Sequence, residues 1–194
     1  MKQIIISIFL FMNLWTISSN AQTAQNFLKS CIQTAKDKGA SNVIVKANLC
    51  SGCEGVFEGF VFFKLETYQV RYIKYFDGYE NVKVIKDTTF EDTEIKNIFD
   101  MFEIYQDSIF MQLENMDSLL KLKVIKDGKI LFAKPLHHGK MILVGVYNNE
   151  KYASSLHSII SLDGIFKKAY FYWLLNSSIN NYCNDHFKIL FSKE

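Results

Sequence analysis

Proline and arginine are almost missing from this 194-residue chain: Pro135 and Arg71 are the only ones. With one proline and no Gly- or Ser-rich stretch, nothing marks a linker or a domain boundary. The want of arginine removes the planar guanidinium fork that sites for phosphate or carboxylate prefer. An excess of positive charge is also lacking, with 22 basic residues against 20 acidic ones, and lysine and glutamate alternate along the chain. Nucleic-acid binding, which rests on neutralising phosphates, is therefore disfavoured twice. Past the first residues there is no apolar run that could span a bilayer; Ala169 to Leu175 is too short and ends at Asn176-Ser177-Ser178. No G-x-S-x-G elbow, P-loop or dinucleotide-binding glycine pattern is present: Gly52, Gly55 and Gly59 fit none of them.

What is present begins at the N-terminus. Lys2 precedes an apolar run from Ile4 to Ile17, and Ser19-Asn20-Ala21 supplies small residues in front of Gln22. A basic start, a short apolar stretch and an A-x-A-like exit predict a secretory signal peptide over 1–21. Gln22 stands where a lipid-modified cysteine would be needed, so the expectation is a soluble mature domain over 22–194, periplasmic or secreted. Half of the residues are apolar, with 17 Phe and 10 Tyr, which suits a packed core and not a disordered chain.

Periodicity predicts the elements. Ala24, Phe27, Leu28, Cys31, Ile32 and Ala35 recur at helical steps over Thr23 to Lys38, with Gly39 as the stop. Val43, Val45, Ala47 and Leu49 alternate with polar residues as in a half-buried strand. Strand-like runs follow at Val56 to Leu65, Tyr68 to Phe76 and, after Asp77-Gly78, Asn81 to Lys86. Thr89 and Asp92 resemble a capping box ahead of a helix lined by Ile95, Ile98, Phe99, Phe102 and Tyr105, continued by Ile109 to Leu120. Hairpins are expected at Leu122 to Ile125 with Lys129 to Ala133, and at Met141 to Tyr147 with Tyr152 to Leu162. A last helix from Ile165 to about Tyr182 and a short edge strand at Phe187 to Phe191 complete the reading. Lys-Val-Ile-Lys-Asp occurs at 83–87 and 123–127, but the flanks differ, so the match is no repeat. Tight turns force antiparallel pairing. The fold class is thus α+β: a single domain with an antiparallel sheet built from hairpins and helices packed on one face. Phe27, Ile32, Val45, Phe63, Phe99, Phe102, Val124, Val144 and Trp173 are the expected core.

Four cysteines, Cys31, Cys50, Cys53 and Cys183, carry the chemistry open to argument. In an exported protein an even number predicts structural bridges, here Cys31 to Cys50 or Cys53; if helix and strand do not bring those cysteines level, Cys31 is a buried free thiol and Cys50 closes on Cys53 or Cys183. The alternative is a redox Cys-x-x-Cys at Cys50 and Cys53, which needs its first cysteine at a helix N-terminus. Glu54-Gly55-Val56-Phe57 leads instead into a strand, and Glu54 would raise a neighbouring thiol pKa. A zinc knuckle completed by Cys31 and by Cys183 or His186 has only one tight ligand pair. His137 and His138 read as a solvated loop, and His157 as a hydrogen-bonded surface residue in a strand. No catalytic residue, cofactor or metal is assigned. The function expected is a non-catalytic exported module, stabilised by disulfides, that binds a protein partner or small ligand; the alternative is an exported thiol–disulfide oxidoreductase.

Overall fold

In the computed structural model, the described residues are 26–27, 29–51, 55–77, 82–116, 122–126, 129–133, 139–149, 151–158 and 169–191. Some of these, 122–126 and 129–133 included, are described for the backbone alone. Residues 1–25, with the expected signal peptide, lie outside this set, as do Cys53, His137 and His138. A first helix, α1 (26–27 and 29–37), leads through Gly39, whose φ of 87° only glycine adopts at little cost, into β1 (Asn42–Ser51). A meander follows: β2 (Gly55–Lys64), β3 (Tyr68–Asp77) and β4 (Val82–Glu91). A 3-10 turn (Thr93–Ile95) opens α2 (Lys96–Glu114); then come the β5 (Leu122–Lys126) and β6 (Lys129–Ala133) hairpin, β7 (Gly139–Asn148), β8 (Lys151–Ser158) and α3 (Tyr170–Phe191).

Six strands form one sheet in the order β4-β3-β2-β1-β7-β8, antiparallel throughout, while β5 and β6 pair with each other. The α+β class and the hairpin-built antiparallel sheet are therefore as the sequence implied. The helices are distributed more evenly than one face. Strand alternation sends Ile44, Phe60, Phe62, Tyr72, Val144 and Val146 into a core with Phe99, Phe102, Tyr172 and Ile179 of α2 and α3. The intervening residues Val43, Val45, Val61, Phe63 and Ile73 meet Cys31, Ile32 and Ala35 of α1 on the other side. Phe27 packs so closely over the strands that a Cβ on Gly59 would lie 3.1 Å from its ring.

Several local readings change. β1 is not half-buried but covered on both faces from Val43 to Ala47, because it is central in the sheet. Thr89 belongs to β4; Asp92 caps the 3-10 turn, its carboxylate accepting the Glu94 N–H at 2.9 Å. Phe187 to Phe191 is no edge strand but the end of α3. Trp173 and Phe27 are only partly buried, since α3 turns Tyr172, Leu175, Ile179 and Tyr182 inward instead. Of the remaining expected core, Val124 has no described side chain and the other six are buried.

α3 is held by specific contacts. The Gln112 side-chain oxygen accepts the Tyr172 N–H at 2.8 Å, satisfying one of the orphan donors at the helix start. Near the other end the Tyr182 hydroxyl donates to Asp92 at 2.5 Å, and the His186 ring lies 3.0 Å from Glu94. Phe99 is fully buried between α2 and the sheet, whereas Ile104 on the same helix is 72% exposed. Phe99→Ala should cost about 3 kcal/mol or more and Ile104→Ala well under 1 kcal/mol. Chemical denaturation of the two variants checks this; equal, small losses would show that α2 is packed in another register.

Candidate functional site

A polar cluster lies in the apolar layer between the sheet and α3. Its sheet side comes from strand alternation: Lys46 of β1 points the same way as Ile44, and Ser155 and His157 of β8 point the same way as Ala153. Lys46 pairs across with Val144, which in turn pairs with Ser155, so the amine and the hydroxyl share one cross-strand row. The helix side comes from residues at steps of four and three, Tyr172, Asn176, Asn180 and Cys183, which share one face of α3.

Lys46 is 4% exposed, and its ammonium donates to the Asn180 side-chain oxygen. Burial pulls its pKa down from 10.5 to about 8. Among the described residues no carboxylate forms an ion pair with it. His157 is buried as well, with its Nε2 3.0 Å from the Tyr172 hydroxyl. Burial, helped by the charge of Lys46, lowers the imidazole pKa to about 4, so the ring is neutral at pH 7. Burial raises the Tyr172 hydroxyl pKa. The Ser155 hydroxyl, a hydrogen-bond partner of Tyr172, opposes that rise, and Asn176 Oδ1 is buried without a hydrogen-bond partner among the described residues. On the sheet beside this group the Tyr72 hydroxyl donates to Glu58 at 2.9 Å.

The cysteines fall apart as a set. Cys31 is a free thiol under α1, and Cys183 is a free thiol on α3, with the sheet between them. The expected bridge from Cys31 to Cys50 or Cys53 is thereby corrected. Phe27 sits level with Gly59 and Ala47. From that level Cys31 lies one helical turn, about 6 Å, toward the Gly39 turn. Cys50 lies three strand residues, about 10 Å, the opposite way. A disulfide needs Cα atoms within about 7 Å. Burial pushes both the Cys31 and the Cys183 thiols up to about 12, so neither is an activated nucleophile at neutral pH. Cys50 lies in β1, paired with Lys140, and β2 starts at Gly55, so this cysteine belongs to a hairpin and not to a helix N-terminus. The zinc arrangement fails on the same separation of Cys31 from Cys183, and no three His, Cys, Asp or Glu side chains converge among the described residues.

His157, expected at the surface, is instead part of the buried cluster because α3 covers β8. Lys46, Ser155, Tyr172, Asn176 and Asn180 were not singled out by the sequence reading. A usable signal existed: asparagines four residues apart, with cysteine three further on, form a helix-spaced polar stripe within an apolar segment. Compared with protein-family models and with curated proteins, the chain matches none.

Chemically the cluster offers a buried, mostly protonated amine, a neutral imidazole held by a phenol, and a buried amide on the same helix face. The depressed His157 pKa makes stability depend on acid. Above pH 6.5 the ring is neutral in both folded and unfolded chains; between 6.5 and 4 only the unfolded chain takes up a proton, so stability falls as pH falls. The full loss is about 3 kcal/mol. His157→Gln, which keeps a partner for Tyr172, should flatten this part of the stability–pH curve. Denaturation midpoints measured across that window check it, and an unchanged curve in the variant would assign the acid loss to other groups.

Proposed function

We propose that the protein is an exported, non-catalytic binding module that engages a partner protein along β4. One observation carries the reading: residues 83–89 of this edge strand are all exposed, and Val84 and Ile85 are 55% and 52% exposed. Such an edge offers unpaired backbone groups to another chain. Val56 and Phe76, paired across β2 and β3, extend the apolar corner. Lys83 and Lys86 bracket Val84 and Ile85. That pattern suits an extended segment of apolar and acidic residues. The register shift between Lys74 and Tyr75, together with the lysines, discourages pairing of β4 with a second copy of itself.

The N-terminal pattern of Lys2, the apolar run and Ser19-Asn20-Ala21 supports export. In that setting the pair left to oxidise is Cys50 with Cys53, since Cys31 and Cys183 are thiols. The placement of Cys50 in a hairpin favours a structural role over a redox one.

The test uses the protein recovered from the producing cell. Its N-terminus should be Gln22, it should not catalyse insulin disulfide exchange, and a photo-crosslinker at position 85 should capture one defined species that the same group at position 104 does not. Exchange activity that Cys50→Ser abolishes without moving the melting temperature would replace this reading with a thiol–disulfide oxidoreductase. Retention of Met1 would overturn export, and identical crosslinks from both positions would overturn β4 as the contact edge.

A further inference from the structure

The two outer strands of the sheet differ in how they treat a neighbour. β4 carries paired lysines and a register shift, both of which turn a second copy away. β8 runs level with β7 from Lys151 to Ser158 without a shift, and its one charged residue, Lys151, stands at its start. Among the described residues no strand lies beyond it. A regular edge of low charge is a template for another strand.

The β8 sequence also matches itself. Opposite residues of an antiparallel pair share a face, so a two-fold axis must set one residue against its own copy. With Ser154 on the axis, Tyr152 of each copy faces Leu156 of the other, on the side that Leu156 shares with α1. Such aromatic–aliphatic pairs stabilise a ladder. Moving the axis to Ser155 would set Tyr152 against Ser158 and Leu156 against Ser154, losing both pairs. Tyr152 is 42% exposed, and its hydroxyl donates to Ser154 at 2.8 Å, so the ring already reaches toward the axis. Lys151 then faces His157, whose ring is neutral at pH 7, and no like charges oppose.

We propose that β8 is the contact between two copies of this chain, paired antiparallel about Ser154 so that two six-stranded sheets become one continuous sheet. The helix layer adds to the contact. α3 starts over β8 at the His157 end, through Tyr172, and α2 reaches the Lys151 end, where Lys151 and Asp107 are 3.7 Å apart. The axis therefore sets the α3 start of one copy beside α2 of the other. Both bring exposed apolar groups: Tyr170, 46% exposed and in ring contact with Phe171 and Trp173, and Met111, 57% exposed. A stable dimer buries about 1,200 Å² or more in total, and this second layer extends the interface beyond the strand pair. The two-fold contact closes on itself and leaves both β4 edges open, so it stands apart from the reading given to β4.

The test is sedimentation equilibrium of the protein recovered from the producing cell, which should give twice the chain mass and no larger species. Ser154→Lys sets two ammonium groups face to face on the axis and should halve that mass with far-UV circular dichroism unchanged. Ser154→Cys brings two Cα atoms about 5 Å apart, within disulfide reach, so mild oxidation should link two chains there. Thr88→Cys, on exposed β4, should not link them. A monomer at every concentration, growth beyond two chains, a dimer that Ser154→Lys leaves intact, or equal linking through Thr88→Cys would overturn the proposal. Where Ser154→Lys does not fold, the mass of the unaltered chain and the two cysteine variants decide.

Discussion

β1 must satisfy neighbours on all four sides, and the rest of the structure depends on that constraint. Along its edges it pairs with β2 and with β7, joining the meander β1–β4 to the late hairpin β7–β8 across a long stretch of intervening chain. Its faces are both covered, by α1 on one side and by α2 and α3 on the other. Val43, Val45 and Ala47 fill the first layer and Ile44 the second. Lys46 is the exception, a charge placed where an aliphatic side chain would fit the pattern. A buried ammonium is costly unless hydrogen-bonded. That cost draws Asn180 onto it and makes α3 polar on the one stripe that should be most apolar.

The two faces consequently differ in chemistry. Beneath α1 the layer is aliphatic and aromatic, and the Cys31 thiol there is sealed and unreactive. Arg71 closes the flank of that face with a bidentate pair to Asp87, at 2.9 and 2.7 Å, across neighbouring strands. Being partly exposed, that pair fixes the strands' side chains more than it adds stability. Beneath α3, aromatic packing of Phe60, Tyr72 and Phe187 anchors the C-terminal half of the helix, while its N-terminal half rests on the polar cluster. Asp92 serves both parts, capping the turn before α2 and accepting from Tyr182.

Strand periods and turn residues were legible because they are local. Asp-Gly and the alternation of Val, Phe and Lys place β2, β3 and the β5–β6 hairpin within a residue or two. What sequence could not reveal depends on which strand becomes central. Lys46 reads as a solvent-facing residue unless one knows that β7 and α3 return to cover β1. The same lack hid the α3 register: Trp173 reads as core and Asn176 only as the polar end of an apolar run, yet Trp173 is partly buried and Asn176 is fully buried. The Cys31 bridge failed for a related reason, because neighbouring elements need not bring their cysteines level.

Paired on both edges, β1 ties the two hairpin groups into one sheet that should open cooperatively. Native-state amide hydrogen exchange under increasing denaturant tests it most directly. Amides of β1, β2 and β7 should merge into a single opening of the highest free energy, with the exposed β4 edge exchanging earlier. Separate opening of β7 and β8, while β1 to β3 stay protected, would contradict it.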